Sequence, residues 1–178
     1  MDDALLVQEC LKGKSRAQKA LFDKFAPKML AVCYRYMKDK EESEDALQIS
    51  MVKVFQKLDA FKQEGALEGW IRRIVVNTAI RHLERKKMSF KEIDDHQPDF
   101  PSVDPSAYHF LGEEDLLKLI SALPEGYRMV FNLSVIEGYS HDEIAEMLNI
   151  QAGTSRSQLV KARKMLQSQI LQLQKIAV

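Results

Sequence analysis

Residues 154–164 concentrate side chains that can read the edges of DNA bases. Arg156 can donate two hydrogen bonds to guanine, and Gln158 can make a paired donor–acceptor contact with adenine. The cations that follow suit phosphate groups. Residues 154–178 contain five Lys or Arg and no Asp or Glu, which predicts a surface that meets an anion. The candidate contacts to duplex DNA are Thr154, Ser155, Arg156, Ser157, Gln158, Lys161, Arg163 and Lys164.

Two short helices that meet at a sharp turn would present this segment. Ser140, with Glu143 three residues later, predicts a capping box that starts a helix at His141. Asn149 can adopt the left-handed conformation that ends this helix, and a second helix is expected from about Thr154. The spacing is typical of a helix-turn-helix, whose second helix lies in the major groove. A solvated amphipathic hairpin that binds nothing is the alternative, because helical corners are common.

The formal net charge of zero hides a segregated pattern. Residues 70–91 carry seven Lys or Arg against one acid, whereas residues 92–115 carry eight acids and no Lys or Arg. Two basic segments therefore bracket an acidic connector, and each is a candidate for binding a polyanion.

The composition excludes several classes of protein. No apolar run approaches the roughly 18 residues of a membrane span, and no signal-peptide pattern opens the sequence. We therefore expect a cytoplasmic protein with no membrane insertion of its own. Cys10 and Cys33 lack metal-ligand spacing and are expected to be buried. The sequence offers no metal set, phosphate-cradling glycine loop or nucleophile–base pair, so it predicts no catalytic residue, metal or cofactor.

Apolar positions recur at helical spacing along both halves of the chain, and no alternating β pattern competes with them. The predicted fold is all-α, with two small helical domains at residues 1–87 and 113–178. A flexible, acidic, proline-containing linker, residues 88–112, would join them.

Details of the first domain are also predicted. Ser15 and Gln18 suggest a capping box, and Pro27 is expected to start a new helix, because proline is tolerated in a first turn. In the next helix, Ile49 and Val52 are assigned to the buried stripe.

Several fragments follow one another in a recognisable order. They are EDALQ at 44–48 with Val54 and Phe55, GWIRRI at 69–74 with Asn77, LPEGYR at 123–128, GYS at 138–140, EIA at 143–145 and GT at 153–154. In this order, and with an acidic linker between the halves, they resemble the extracytoplasmic-function (ECF) group of bacterial RNA polymerase sigma factors. The resemblance implies a subunit that gives RNA polymerase its promoter specificity and is not itself an enzyme.

In that family, the helix matched by residues 44–48 docks on coiled-coil helices of the polymerase β′ subunit. The resemblance implies core RNA polymerase as a partner, through its β′ and β subunits. The implied contact residues are Glu44, Asp45, Leu47, Gln48 and Met51. They would form a polar, partly exposed group beside an apolar anchor at Leu47 and Met51. A merely solvated acidic helix start is the alternative.

Promoter opening requires cations that follow phosphates and a pocket for an unstacked base. In the family, this region captures the non-template strand of the minus-ten element, and the helix-turn-helix contacts the minus-thirty-five element. The minus-ten set implied here is Lys62, Trp70, Arg72, Arg73, Asn77, Arg81 and Arg85. Simple core packing is the alternative for Trp70.

Some positions depart from the family's common pattern. Arg81 stands where many relatives have Asp, and Glu84 stands where Arg is frequent. In the reading helix, Ser155 stands where an aliphatic residue is common, and Gln158 where Arg is frequent. The promoter sequences are therefore not predicted by analogy.

The resemblance implies two further partners: promoter DNA, and an anti-sigma factor that would occupy the polymerase-facing surfaces. Two other classes of function stay open. One is a polymerase-independent helix-turn-helix transcriptional regulator, which could form a dimer through the apolar tail positions Leu166, Ile170, Leu173 and Ile176. The other is a helical adaptor that binds no nucleic acid.

Overall fold

The computed structural model describes residues 2–37, 39–89 and 113–176. Within this part of the chain the secondary structure is helical and contains no strand, in agreement with the predicted all-α class. The helices are α1 (Asp3–Leu11), α2 (Ser15–Tyr36), α3 (Lys40–Gln56), α4 (Leu67–Ser89), α5 (Glu113–Ala122), α6 (Glu125–Phe131), α7 (His141–Leu148) and α8 (Ala152–Ile176). A 3₁₀ turn, Leu58–Ala60, follows α3, and a π-helical segment, Asn132–Ile136, extends α6.

The chain divides into two compact units, residues 1–90 and 91–178. The predicted first boundary at residue 87 falls inside α4, which continues to Ser89. Apart from its first two residues, the predicted linker 88–112 lies outside the described residues, so its extent and flexibility stay predictions. None of the described helices is both long and apolar enough to cross a bilayer.

The first unit is built around α2. This helix packs against α1, α3 and α4, and α3 also packs against α4. Leu21, Phe25 and Met29 lie on its buried face, at the i, i+4 and i+8 spacing of one helical stripe. Cys10 and Cys33 are buried and free, as predicted.

Two predictions about α2 were wrong. Pro27 does not start a helix but lies inside one 22-residue helix. An interior proline costs about 3 kcal/mol, whereas burying each large apolar side chain contributes about 1.5–3 kcal/mol. The stripe through Leu21, Phe25 and Met29 therefore outweighs the lost hydrogen bond. Ser15 does not form a capping box either, because the helix already begins at Ser15 and Lys14 occupies the N-cap position.

The start of α3 is fixed by Asp39, whose side chain accepts the backbone N–H of Glu42 at 2.8 Å. The assignment of Ile49 and Val52 to its buried stripe was wrong, since 41% of Ile49 and 56% of Val52 is exposed. The buried face of α3 consists of Ser43, Ala46, Leu47, Ser50, Met51 and Val54. Ile49 and Val52 point away from that face.

The described part of the second unit contains the four α-helices α5 to α8. Ile120 and Leu123 pack with Ala162 and Leu166 of α8. Partly buried side chains surround this cluster: Leu119, Tyr127, Phe131, Ile136 and Met165. Of the apolar tail positions, Leu166 and Ile170 are buried, which favours packing within the unit over pairing with a second chain. The side chains of residues 173–176 lie outside the described set.

A buried arginine closes the end of α5. Only 1% of Arg128 is exposed, and its Nη1 donates to the carbonyl oxygens of Ser121 and Leu123, each at 3.1 Å. The last carbonyls of a helix have no partner within the helix, so Arg128 supplies a cap from the next helix along the chain.

Candidate nucleic-acid interface

The predicted helical corner is present in the second unit. Ser140 forms the capping box with Glu143, in which each side chain bonds the other residue's backbone N–H. Asn149 ends α7 in the left-handed conformation, with φ 51°. The next helix, α8, begins at Ala152, two residues before the expected start at Thr154. The α7–turn–α8 arrangement is a helix-turn-helix.

A hydrogen bond ties the two helices of this corner together. His141 Nδ1 lies 2.8 Å from Ser155 Oγ, and Ser155 is fully buried. Ser155 was predicted to contact duplex DNA, which requires an outward-facing side chain, and this prediction was wrong. Ser155 lies four residues before Leu159 and seven before Ala162, so it falls on the same buried stripe of α8.

The other predicted contacts of α8 differ in exposure. Arg156, Ser157, Arg163 and Lys164 are exposed, whereas Thr154, Gln158 and Lys161 are half-buried. Four cations of α8 have described side chains, Arg156, Lys161, Arg163 and Lys164, and none of them makes an ion pair with another described residue. Their charge is therefore available to an external anion.

Gln158 packs on the first turn of α6. Its amide nitrogen lies 3.2 Å from where a Cβ on Gly126 would be, so a side chain at residue 126 would require Gln158 to shift by a few tenths of an ångström. Ser157 Oγ donates to the carbonyl oxygen of Thr154 at 2.9 Å, within the helix. Arg156 is thus the exposed long side chain nearest the start of the reading helix.

In the first unit, a surface cavity of about 410 Å³ opens beside Trp70. Its lining residues are Ala60, Phe61, Lys62, Glu64, Gly65, Ala66, Gly69, Trp70 and Arg73. The rings of Phe61 and Trp70 lie 5.5 Å apart at 49°. Trp70 is half-buried, so it both packs on the unit and forms part of the cavity wall. The cavity therefore combines aromatic surface with cations.

Of the predicted minus-ten residues, Lys62, Trp70 and Arg73 meet at this cavity, and the others lie elsewhere along α4. Arg72 and Asn77 are half-buried. Arg81 and Arg85 are exposed, and their positive charges help to lower the pKa of Lys53 of α3.

Lys53 and its neighbour Lys57 were not among the predicted DNA contacts. Lys53 Nζ donates to Thr78 Oγ1 at 3.2 Å. Burial lowers the pKa of Lys53, and the charges of Arg81, Arg85 and Lys57 lower it further. Lys53 lies in α3 and Lys57 is the C-cap residue of that helix, so the high basic content of residues 70–91 did not reveal them.

The predicted polymerase-binding set on α3 divides into two groups. Asp45 and Gln48 are exposed and Glu44 is half-buried, as expected of a polar surface. The prediction that Leu47 and Met51 form an apolar anchor at the interface was wrong, because only 7% of Leu47 and 2% of Met51 is exposed. Both side chains belong to the core of the unit.

A different apolar pair shares the outer face of α3. Asp45, Gln48, Ile49 and Val52 follow the i, i+3, i+4, i+7 spacing of one helix face, and all four are exposed. We call them the α3 outer face. It joins polar side chains to two exposed aliphatic side chains.

Comparison with known proteins identifies the family. The family model for sigma-70 region 2 matches residues 21–88, and that for sigma-70 region 4 matches residues 113–166. The RNA polymerase sigma-H factor of Pseudomonas aeruginosa is 29% identical over 174 residues, covering 91% of this chain and 90% of that protein. The ECF RNA polymerase sigma-E factor of Salmonella typhimurium is 26% identical over 182 residues, covering 96% and 95%. The chain belongs to the ECF group of sigma-70 factors.

As an ECF sigma factor, the protein is a transcription initiation factor and not an enzyme. A solved relative is the sigma factor RpoE of Bartonella quintana, in complex with the anti-sigma factor NepR. It matches with a TM-score of 0.54 and 22% identity, over 86% of this chain and 96% of that one. At this identity the likeness concerns the fold.

The two family regions divide the surfaces described above. The α3 outer face, the cavity beside Trp70 and the cations around Lys53 all lie within the match to region 2. The helix-turn-helix, with Arg156 and the later cations of α8, lies within the match to region 4. Each region of this sigma factor thus carries a cationic surface of its own.

Proposed function

We propose that this ECF sigma factor initiates transcription through three surfaces. The α3 outer face binds core RNA polymerase, through its β′ and β subunits. The cavity beside Trp70 holds a base from the opened strand of the minus-ten element, and the start of α8 reads the minus-thirty-five duplex. The observation that carries the proposal is the row of described cations on the second helix of a helix-turn-helix, Arg156, Lys161, Arg163 and Lys164, present together with an aromatic, cationic cavity in the other unit.

Polymerase binding is assigned to the α3 outer face because an interface needs a desolvated apolar centre within a polar rim. Ile49 and Val52 can supply the centre, and Asp45 and Gln48 the rim. Leu47 and Met51, which were predicted to make the contact, support this face from beneath.

The strand-binding role of the cavity rests on its chemistry. Base stacking on an aromatic ring contributes about 1–3 kcal/mol per base and tolerates any sequence. The exposed Lys62 and Arg73 at the rim can meet the phosphates of the same strand. Trp70 is the single tryptophan of the chain, so its fluorescence reports directly on this cavity.

The role in initiation is tested with the full chain, core polymerase and promoter DNA. Val52→Glu should weaken core polymerase binding at least tenfold, because it buries an unpaired carboxylate in the contact. Leu11→Glu is the matched control, since Leu11 is 52% exposed on α1 in the same unit. If both variants bound core polymerase as tightly as the wild type, the α3 outer face would not be part of the interface. Tight duplex binding without polymerase would favour the independent regulator instead.

The cavity is tested by titrating the full chain with single-stranded oligonucleotides. Trp70 fluorescence should be quenched on binding, and Arg73→Gln should shift the titration to higher oligonucleotide concentrations. Quenching by duplex and single strand alike would contradict the assignment.

Partners and location complete the proposal. Promoter DNA and core polymerase place the protein in the cytoplasm. An anti-sigma factor is the third partner, as NepR is for the Bartonella protein, and it would cover the α3 outer face. Competition between that factor and core polymerase for the free chain is the measurable consequence.

A further inference from the structure

The cavity beside Trp70 is lined by three charged side chains that do not neutralise one another. Lys62, Glu64 and Arg73 all line the cavity and are exposed. None of them makes an ion pair with another described residue, although Lys62 and Glu64 carry opposite charges and lie two residues apart. The cavity therefore offers both cations and a carboxylate to a ligand.

The loop that supplies Lys62 and Glu64 has an uncommon backbone. Gln63, between them, has φ 57°, and Gly65 has φ 154°. Positive φ is uncommon for a residue other than glycine, and such backbone concentrates at sites that hold ligands. Gly65 and Gly69 also line the cavity, and a Cβ built on either would meet nothing within 4 Å. The cavity therefore has free space beside both glycines.

The size and the surface of the cavity fit one nucleotide. Its volume of about 410 Å³ falls within the range of about 300–1,000 Å³ that is usual for small-molecule sites. The ring centroids of Phe61 and Trp70 lie 5.5 Å apart, so the rings pack on each other and a base would stack on their outer surface. Such stacking accepts every base. Lys62 and Arg73 can each donate charge-assisted hydrogen bonds to a phosphate.

Glu64 adds a preference among bases. An ionised carboxylate only accepts hydrogen bonds, so it can pair with the exocyclic amino group of cytosine or adenine. Uracil carries a carbonyl oxygen where cytosine carries its amino group, and that oxygen would face the carboxylate with no hydrogen between them. Glu64 therefore favours a base with an amino group over uracil.

We propose that the cavity beside Trp70 is also a regulatory site for a free nucleoside 5′-monophosphate whose base carries an amino group. A free nucleotide presents the same kinds of groups as one unit of a DNA strand, and the cavity has room for one. A bound nucleotide would exclude the base of the opened minus-ten strand and slow initiation. Nucleotide binding stands on the cavity alone, whereas the competition rests on the proposed function.

Binding is tested by titrating the full chain with cytidine monophosphate and following the fluorescence of Trp70, the single tryptophan. Uridine monophosphate is the matched ligand, because it has the same size and the same phosphate but lacks the amino group. Cytidine monophosphate should quench the fluorescence at concentrations at least fivefold lower than uridine monophosphate. Glu64→Gln should remove this difference, because a carboxamide both donates and accepts hydrogen bonds. Equal quenching of the wild type by both nucleotides and by inorganic phosphate would overturn the proposal, as would no quenching at millimolar concentrations.

A filled cavity gives a second readout. Gly69→Leu places a side chain in the free space of the cavity and should weaken the binding of cytidine monophosphate at least tenfold. Gly153→Leu is the matched control, because Gly153 also lies in the first turn of a helix and a Cβ there would also meet nothing within 4 Å. It should leave nucleotide binding unchanged. If Gly69→Leu melts as the wild type does and still binds the nucleotide equally well, the ligand does not occupy the cavity and the proposal is overturned.

Competition is measured with the full chain and a single-stranded oligonucleotide, and then with holoenzyme. Cytidine monophosphate should displace the oligonucleotide and slow promoter opening, and polymerase cannot incorporate it because it lacks a triphosphate. If the nucleotide binds but does not displace the oligonucleotide at any concentration, the regulatory role is overturned. If the oligonucleotide binds and the nucleotide does not, the free-nucleotide site is overturned while the proposed function stands.

Discussion

His141 Nδ1 and Ser155 Oγ lie 2.8 Å apart, which ties the first residue of α7 to the first turn of α8. The bond is partly buried, and it joins the supporting helix of the corner to the helix proposed to read DNA. Ser155 therefore positions the reading helix instead of touching a base, because a fully buried hydroxyl cannot reach a groove.

Removal of this bond should affect stability and leave base preference unchanged. Ser155→Ala should lower the free energy of unfolding by about 1 kcal/mol, the usual net contribution of one hydrogen bond. It should weaken DNA binding equally for all sequences. Urea denaturation measures the first effect, and selection from a randomised minus-thirty-five library measures the second.

The neighbouring Ser157 provides the control for this experiment. It is exposed, and its hydroxyl donates to the carbonyl oxygen of Thr154 within its own helix turn. Ser157→Ala should therefore leave stability within about 0.5 kcal/mol of the wild type. A change in preference at one base pair in Ser155→Ala would show that Ser155 does read sequence.

Base readout is expected at Arg156. Arg156→Ala should cost roughly 1–3 kcal/mol at the preferred sequence and relax the preference at one upstream base pair, because a bidentate contact to guanine is lost. Lys164→Ala is the comparison, since Lys164 is also an exposed cation of α8. Lys164→Ala should weaken binding to all sequences alike. If Arg156→Ala kept the full sequence preference, the readout would lie on another residue.

Local signals in the sequence were sufficient for the corner. Ser140, Glu143 and Asn149 act at the two ends of α7 itself, so residue type and spacing predict the capping box and the left-handed end of this helix, which the structure confirms. Ser155 was misassigned although a signal was present. Its spacing to Leu159 continues the buried stripe, and a hydroxyl at that position can bond a polar group of α7 as readily as DNA.

The errors in the first unit have a different cause. A helix with apolar residues on more than one face does not reveal which face meets its neighbours. Leu47 and Met51 were therefore predicted at the polymerase interface, although they are buried, and Ile49 and Val52 were predicted in the core, although they are exposed. The prediction that a helix starts at Pro27 rested on local helix chemistry alone. Burial of the apolar face of α2 in the tertiary structure instead carries one helix through Pro27. Lys53 joins Arg81 only when α3 and α4 pack, and no spacing along the sequence reports that contact.

The buried guanidinium of Arg128 should be a major source of stability for the second unit. Arg128→Met removes both hydrogen bonds to the carbonyl oxygens of Ser121 and Leu123 and leaves these oxygens without that partner. Leaving a buried polar group unsatisfied costs about 1–3 kcal/mol, so we expect a loss of roughly 3 kcal/mol. Thermal and urea unfolding measure it.

A charge change alone should not produce this loss. Arg163→Met removes an exposed cation from the same unit and should stay within about 0.5 kcal/mol of the wild type. Equal losses for the two variants would contradict the capping role of Arg128.

The Cys33 thiol should make stability fall at alkaline pH. Burial raises the pKa of Cys33 from 9.0 to about 12, so between these values the folded protein keeps the thiol neutral while the unfolded chain ionises it. Ionisation stabilises the unfolded chain. The contribution of Cys33 is therefore fully present below pH 9 and is lost progressively as the pH rises toward 12. One proton gives a slope of at most about 1.4 kcal/mol per pH unit.

Comparison with Cys33→Ala isolates this contribution from other alkaline effects. The variant will be less stable at neutral pH because it leaves a cavity, but its free energy of unfolding should fall less steeply between pH 9 and 11 than that of the wild type. Urea denaturation under reducing conditions at several pH values gives both slopes. Parallel slopes would mean that the Cys33 thiol ionises as readily in the folded protein as in the unfolded chain, and its burial would then not control the alkaline limit.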